Sequence, residues 1–315
     1  MKKLKKLADK IFSFKHEKDS SGLFVTVDDL IEQRQKAAYL RMLNAKLPTS
    51  RQAGDVKSAF KGRGIEMEEI RSYSFGDDVR DIDWRVTARK SSPYTKVYNE
   101  EKDREIYVVL DLSPYMAFGT RKELKTVAAA KIASLLAWSS LTNKDRFGCV
   151  IFDGKSQYIF KPRNHQGAVV AIFKKIAELS KAVLNVKEND EDGLAKALKL
   201  LKKNVKGQAA IFVVSDFSRF GDDVKKSLAA LSSNTSVYLI NVFDALEDVA
   251  PKAGEYMAED NGKRVVFDSS SKLFQKEYRH YFAEKRQQVR DFGRRFSCRY
   301  MEVRTDTDLH RQLKF

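Results

Sequence analysis

The sequence predicts an α/β fold in which helices cover both faces of a mostly parallel β-sheet. From residue 105 onward, short apolar runs alternate with amphipathic segments of helical length, which is the pattern of strands joined by helical crossovers. The strand-like runs are apolar nearly throughout, as expected of strands that are buried on both faces. Hydrophobic residues make up 43% of the 315-residue chain, which is enough for a substantial core and excludes a disordered chain.

The strands of this sheet are predicted at residues 106–110, 147–152, 209–214, 236–243 and 299–303. Shorter β segments are predicted at 157–160 and 264–267. Between the strands, apolar residues recur every three or four positions, which predicts amphipathic helices. The apolar faces of three of them begin at Leu124, Val169 and Leu194, and a long final helix is predicted from Phe274 to Phe296. Ligands of such sheets bind at the carboxyl ends of the strands, so candidate functional residues are expected there.

The chain before the sheet divides into two predicted parts. Residues 1–24 are rich in charge and contain no apolar run longer than two residues, which predicts a mobile basic lead-in. Residues 25–104 are predicted to form an N-terminal helix, which begins at a capping box of Thr26 and Asp29, and an Arg- and Asp-rich β extension. A loop is predicted at 47–64, between the N-terminal helix and the Arg- and Asp-rich stretch. The α/β domain is predicted to occupy residues 105–315.

The charge and the absence of long apolar runs limit the location of the protein. Lys and Arg number 59 against 43 Asp and Glu, so the net charge of +16 favours anionic partners. No apolar run approaches the roughly 18 residues of a membrane-spanning helix. Cys149 and Cys298 make no disulfide framework, and the basic N-terminal segment has no apolar core of a signal peptide, so we expect a cytoplasmic protein. The lysines at the start of the chain, with Leu4 and Leu7, allow weak contact with an anionic membrane surface, and a solvated tail is the other interpretation.

Polar side chains follow two of the predicted strands. Asp111 ends the first strand, Ser113 follows in the loop, and Asp216 comes directly after the strand at 209–214. Carboxylate and hydroxyl oxygens at neighbouring strand ends are the ligands that Mg²⁺ prefers. The sequence therefore points to a candidate metal site at this edge of the sheet.

These residues carry a resemblance to known families. The DLSPYM segment after a strand and SDF after a later one resemble a von Willebrand factor A domain, whose metal-ion-dependent adhesion site uses an Asp-x-Ser-x-Ser loop, a Thr and a second Asp. The RSY, GDDVRDIDWR and AR strings of residues 71–89 resemble the bacterial domain of unknown function 58 (DUF58) family, and the similarity runs from about residue 25 to about 310. The resemblance implies partnership with a MoxR-type AAA+ ATPase and other von Willebrand A proteins, in a chaperone-like or metal-insertion-like system, and no catalytic activity.

The chain departs from the adhesion-site pattern at two positions. Tyr115 stands where the second Ser is expected, and a phenol is a poor Mg²⁺ ligand. Asp192 stands where the resemblance places the Thr. The site is therefore interpreted as degenerate, consisting of Asp111, Ser113 and Asp216 with Asp192 as a further candidate. We expect at most weak Mg²⁺ binding and no other cofactor.

The Arg- and Asp-rich segment has two interpretations. Arg guanidinium pairs bidentately with carboxylate, so the set can form a rigid lattice that fixes this segment to the sheet domain, with Trp84 as its apolar anchor. Alternatively, some of these groups face outward and bind a partner. The residues concerned are Arg71, Asp77, Arg80, Asp83, Trp84, Arg85 and Arg89.

The motifs favour a non-enzymatic adaptor that docks a MoxR-type ATPase at the carboxyl edge of the sheet. The chain contains no GxxxxGK[ST] phosphate loop, no GxSxG elbow and no HExxH pair. The alternative is a basic nucleic-acid-binding protein that uses the final helix. Between residues 272 and 299 the sequence has nine Lys and Arg residues and only three Asp and Glu residues. We do not expect nucleic acid to be the partner, because no recognised binding motif accompanies this helix.

Overall fold

The structure is a computed structural model that describes residues 22–40, 65–90, 92–100, 104–186, 190–207, 209–260 and 263–314. Most of the predicted basic lead-in and the predicted loop at 47–64 lie outside these residues. The chain divides into two compact units: a sheet unit, Met1–Leu47 with Arg104–Phe315, and an extension unit, Pro48–Asp103. In chain order, the described helices and strands are α1 (Val27–Ala37), β1 (Ile65–Ser72), α2 (Trp84–Lys90), β2 (Tyr94–Glu100), β3 (Glu105–Asp111), α3 (Lys125–Thr142), β4 (Arg146–Phe152), β5 (Gln157–Arg163), α4 (Gln166–Ala182), α5 (Gly193–Asn204), β6 (Ala209–Ser215), α6 (Asp222–Ser232), β7 (Ser236–Phe243), β8 (Glu255–Asp260), β9 (Lys263–Asp268), α7 (Lys272–Arg295), β10 (Arg299–Arg304) and α8 (Leu309–Gln312).

The sheet unit is built on one six-stranded sheet. Its strand order is β10-β7-β6-β3-β4-β5, and only the β4–β5 pair is antiparallel. If these six strands are renumbered 1 to 6 in chain order, so that β3 is 1 and β10 is 6, their order from the β5 edge is 3-2-1-4-5-6. This is the order of doubly wound α/β folds. This confirms the predicted α/β fold with a mostly parallel sheet. The strand order reverses between β3 and β6, so the switch point lies where Asp111 and Asp216 were predicted to meet.

Each face of the sheet carries its own hydrophobic core. One core includes residues of α1, α3 and α4, and the other includes residues of α5, α6 and the last turns of α7. Residues 27–37 form a helix that begins at Thr26 with the capping box expected from Asp29. Leu30 of this helix is fully buried, and its carbonyl accepts hydrogen bonds from Ser134 Oγ at 2.5 Å and Trp138 Nε1 at 3.0 Å. Helix α1 therefore packs on α3 in the sheet unit, whereas the sequence grouped it with the extension.

The final helix is long, as predicted, and its two halves differ. Val289 and Phe292 near the end are buried in the second core. At its start, Phe274 stacks on Phe267 of the β8–β9 hairpin, with ring centroids 5.1 Å apart. No helix among the described residues combines the length and apolar character needed to cross a membrane.

The extension unit is a small antiparallel hairpin with a helical excursion. β1 pairs with β2, and the chain between them forms a turn, a short 3-10 helix at Val79–Asp81 and the helix α2. Ile82 forms an isolated bridge with Thr95 of β2, which holds the excursion against the hairpin.

Candidate functional site

Asp111 lies at the carboxyl end of β3, where the sequence placed it, and its side chain is buried. Its Oδ1 accepts a hydrogen bond from the Ser113 backbone N–H at 2.9 Å. Its Oδ2 accepts one from the Ser215 hydroxyl at 2.6 Å, on the neighbouring strand β6. Both carboxylate oxygens of Asp111 are thus engaged by protein donors.

Asp216 follows β6, and its main partner is a lysine that sequence reasoning did not single out. Lys125 is the first residue of α3, and its Nζ donates to Asp216 Oδ2 at 2.6 Å and to Glu247 Oε1 at 2.8 Å. The other oxygen of Asp216 accepts from the Ser218 backbone N–H at 2.8 Å. The side chain of Lys125 is only 3% exposed, so the ion pairs are closed off from solvent.

The electrostatics of the site follow from this arrangement. Burial, and then the neighbouring charge of Asp216, raise the pKa of Asp111 from its ordinary value of 3.8 to about 6. Burial alone would raise the pKa of Asp216, but the charge and hydrogen bond of Lys125 outweigh burial and hold that pKa below its ordinary value. Burial would likewise lower the pKa of Lys125, but Asp216 and Glu247 outweigh it and raise that pKa. Lys125 is therefore a permanent buried cation at neutral pH.

We expect Asp111→Asn to change the free energy of unfolding by less than about 1 kcal/mol at pH 7.5, because a neutral amide avoids the cost of burying a carboxylate. In the unaltered protein, Asp111 has its pKa raised from 3.8 to about 6. Its contribution to stability is therefore complete below about pH 4 and is lost as the pH rises through about 6. Urea unfolding at pH 4 and 7.5 should show this decline in the unaltered protein and not in the variant. A loss above about 2 kcal/mol at pH 7.5 would mean that the ionised carboxylate is needed.

The two residues that depart from the adhesion-site pattern, Tyr115 and Asp192, have polar partners other than Asp111 and Asp216. The Tyr115 hydroxyl accepts a hydrogen bond from Arg219 at 2.6 Å, and the guanidinium lies 4.7 Å from the centroid of the Tyr115 ring. Arg219 also pairs with Glu191 at 3.0 Å. Asp192 precedes α5 and donates its backbone N–H to Asp190 Oδ1. Among the described residues, no three His, Cys, Asp or Glu side chains are placed to hold a metal ion, so Asp192 does not complete a site with Asp111 and Asp216.

A third buried carboxylate at this edge, Asp244, was not singled out from the sequence. Asp244, after β7, is fully buried and accepts hydrogen bonds from the Thr120 hydroxyl at 2.5 Å and the Thr120 N–H at 3.0 Å. The Thr305 hydroxyl, after β10, donates to it at 3.1 Å, and the Leu246 N–H donates at 2.9 Å. Asp244 therefore ties the loop after β3 to the carboxyl ends of β7 and β10.

In the extension unit, the predicted Arg–Asp lattice is reduced to one Arg–Asp pair among the described side chains. Arg71 pairs with Asp77 at 2.7 Å. Asp83 instead accepts the backbone N–H groups of Arg85 and Val86 at the start of α2, and pairs with Lys96 at 3.5 Å. The short Asp side chains satisfy nearby backbone donors, as is usual at turns and helix starts.

The side chain expected to anchor this segment faces outward. Trp84 is 67% exposed and Phe75 is fully exposed, so Trp84 is not the buried anchor that the sequence predicted. Arg80, Arg85 and Arg89 are exposed as well. Trp84, Arg80, Arg85 and Arg89 therefore expose their side chains, and partner binding by these four residues stays a prediction.

Solved structures with some similarity to this chain include the conserved hypothetical protein BatB from Bacteroides thetaiotaomicron and the SpRpn10 VWA domain. The first has a TM-score of 0.41 and 15% sequence identity, covering 64% of this chain and 90% of that one. The second has a TM-score of 0.32 and 13% identity, covering 66% of this chain and 91% of that one.

Two relatives in sequence are the uncharacterized protein Rv1480 of Mycobacterium tuberculosis and the uncharacterized protein Mb1516 of Mycobacterium bovis. Each is 27% identical over 248 residues, which cover 76% of this chain and 75% of the relative. The model of the family described as "Protein of unknown function DUF58" matches residues 69–288, more than half of the chain. The chain therefore belongs to the DUF58 family.

Proposed function

We propose that this protein is a cytoplasmic, non-enzymatic interaction protein that works with a MoxR-type AAA+ ATPase and other von Willebrand A proteins, in a chaperone-like or metal-insertion-like system. The partner class comes from the family resemblance carried by the RSY, GDDVRDIDWR and AR strings. The observation that carries the proposal is an exposed segment of the extension unit, residues 75–85, which lies within those strings.

The exposed segment has the side chains of a binding hot spot. Phe75, Val79 and Trp84 are large apolar residues with more than half of their surface in solvent, and Arg80 and Arg85 lie between and beside them. Trp and Arg are the residue types enriched in hot spots. Exposed apolar side chains that are grouped rather than scattered are typical of interaction sites, and these three lie within ten residues of the chain. The segment is thus suited to a partner surface that contains an apolar pocket and hydrogen-bond acceptors for the two arginines.

The backbone that presents these side chains is held in place. Asp77 accepts the Ser74 N–H at 2.9 Å, Asp78 accepts the Arg80 N–H at 2.9 Å, and Asp83 caps α2. Gly76 has φ of +104°, a conformation that favours glycine, and it forms the turn that exposes Phe75. A preorganised segment loses less entropy on binding.

Two observations favour an interaction protein over the other classes. At the carboxyl edge of the sheet, Asp111, Asp216 and Glu247 are engaged by hydrogen bonds or by Lys125, which supports a non-enzymatic role. On α7, Arg286 pairs with Asp248, and Arg290 pairs with Glu302. These internal pairs reduce the charge available to phosphates, which favours a protein partner over nucleic acid.

We expect Trp84→Ala to weaken binding of the MoxR-type ATPase from the same organism by at least about tenfold, and Phe75→Ala to act in the same direction, because both remove exposed aromatic anchors. Affinity is measured by pull-down and anisotropy, with and without nucleotide. The matched control is Tyr39→Ala, which removes an aromatic side chain that is 77% exposed in the sheet unit and should leave affinity unchanged.

Two outcomes would contradict this proposal. If the unaltered protein does not bind the ATPase in any nucleotide state, the partner is wrong. If it binds and the Trp84 and Phe75 variants bind equally well, the exposed segment is not the docking site. Tight binding of duplex or single-stranded DNA or RNA at moderate salt would favour the nucleic-acid alternative.

A further inference from the structure

Three residues at the carboxyl edge of the sheet match part of the adhesion-site pattern, and two of them are carboxylates whose negative charge must be balanced. Asp111, Ser113 and Asp216 lie at the ends of β3 and β6, the adjacent strands at the switch point of the sheet. Asp111 and Asp216 are close enough for the charge of one to raise the pKa of the other. Two buried carboxylates in this position require a nearby cation or a shared proton.

A cation of the protein itself is already present. The Lys125 ammonium bridges Asp216 and Glu247 at 2.6 and 2.8 Å, distances typical of charge-assisted hydrogen bonds. The side chains of the three residues are 3, 7 and 14% exposed for Lys125, Asp216 and Glu247 respectively. The positive charge is thus held between carboxylates from two different loops of the carboxyl edge.

The position of Lys125 in its helix supports a specific role for this charge. Lys125 is the first residue of α3, where the helix dipole disfavours a cation, and Leu124 before it provides no side-chain cap. The remainder of α3 is largely apolar or small and buried. The unfavourable dipole interaction is offset by the two carboxylates, and no other feature of the helix calls for a buried ammonium group.

The residues present do not fit a divalent ion. Mg²⁺ needs about six oxygen ligands in near-octahedral geometry. Here the two oxygens of Asp111 accept from the Ser113 N–H and the Ser215 hydroxyl, and those of Asp216 accept from the Ser218 N–H and Lys125. Each of these oxygens therefore already has a donor partner, which leaves only part of its acceptor capacity for a metal. An ion on Asp216 would also lie beside the ammonium, and like charges repel strongly in a buried site.

We infer that the ammonium group of Lys125 takes the place of a divalent cation at the carboxyl edge of this sheet, so that the edge is charge-balanced without metal. Lys125, rather than Tyr115, is then the residue that excludes the ion. The Tyr115 hydroxyl accepts a hydrogen bond from Arg219 instead. Any docking at this edge is expected to be independent of metal, and the inference itself does not depend on the proposed ATPase partner.

The test is calorimetric titration with Mn²⁺ and Mg²⁺, together with thermal unfolding of the isolated protein at 1 mM of either ion and in EDTA. We expect no binding and no shift of melting temperature for the unaltered protein. Lys125→Met keeps an apolar stem of similar length, removes the charge and should gain stoichiometric binding of Mn²⁺, with a rise of about 3 °C or more in melting temperature. The double variant K125M/D216N should lose this gain.

Two further variants test whether Tyr115 excludes the ion and whether loss of any lysine charge is enough to create ion binding. Tyr115→Ser restores a short hydroxyl but leaves the ammonium, so it should not bind the ion. Lys199→Met is the matched control, because Lys199 pairs with Asp223 at 2.7 Å on the surface, where both side chains are more than half exposed. It should show no gain of ion binding.

Three results would overturn the inference. The first is stoichiometric binding of either ion to the unaltered protein. The second is a gain of binding in Tyr115→Ser and none in Lys125→Met. The third is a Lys125→Met protein that Mn²⁺ fails to stabilise or to refold, because a metal standing where the ammonium stood would restore the missing positive charge.

Discussion

Lys125→Met is expected to lower the free energy of unfolding by about 3–5 kcal/mol at pH 7.5 in EDTA, the range found when one partner of a buried ion pair is removed. The substitution retains most of the apolar contacts of the side chain, so the loss is electrostatic. Asp216 and Glu247 lose the ammonium that lies 2.6 and 2.8 Å from them, and Asp111 remains nearby as a third acidic group. Uncompensated carboxylates in a buried site are costly.

The loss should shrink at lower pH. In the unaltered protein the pKa of Asp216 lies below its ordinary value of 3.8 because of Lys125, so this ion pair contributes stability above about pH 4. Without Lys125, burial and Asp111 would raise the pKa of Asp216, and its protonation would relieve the unpaired charge. Urea unfolding of both proteins between pH 4 and 8 measures the difference.

The double variant K125M/D216N supplies the control for this prediction. It removes the ammonium together with one of its acidic partners, so it should be more stable than Lys125→Met alone. The surface variant Lys199→Met should behave like the unaltered protein. Equal stability of Lys125→Met and the unaltered protein across this pH range would show that the buried pair contributes nothing.

The strands of the sheet could be predicted because their residue pattern is unambiguous. Ala209–Ser215, for example, is buried at every position, and a continuous apolar run between helical segments has few other interpretations. The polar residues that end such strands could also be placed, because parallel strands bring their carboxyl ends to one edge. This reasoning located Asp111, Ser113 and Asp216 at the switch point.

Charge pairing at that edge was harder to predict. Lys125 lies 91 residues from Asp216 and 122 from Glu247, and no spacing rule connects them. The available signal was a lysine at the start of a largely apolar helix, LKTVAAAKIASLL, where a buried cation needs partners.

In the extension unit, the alternation of positive and negative residues suggested a lattice of side-chain pairs. Asp78 and Asp83 instead satisfy nearby backbone donors, a local choice that charge patterns do not show.

Asp244→Ala is the second substitution with a large expected effect, a loss of about 2–4 kcal/mol in the free energy of unfolding at pH 7. Asp244 is fully buried and accepts two hydrogen bonds from Thr120 and one each from Leu246 and Thr305. Removing the carboxylate leaves the hydroxyl of Thr305, which is itself buried, without this partner. It also releases the loop after β3 from the ends of β7 and β10.

The pH dependence distinguishes the charge of Asp244 from its packing. Burial alone would raise the pKa of Asp244, but the hydrogen bonds from Thr120, Leu246 and Thr305 outweigh burial and lower it. Its contribution is therefore present above the ordinary value of 3.8 and is lost as the pH falls through the lower folded-state pKa. Asp244→Asn preserves the shape of the side chain, so urea unfolding should show a smaller loss at pH 7 than Asp244→Ala, and one that diminishes toward pH 3. Asp222→Ala, on the exposed first turn of α6, is the control and should unfold like the unaltered protein. If Asp244→Asn is as stable as the unaltered protein at pH 7, the four hydrogen bonds do not need an ionised acceptor.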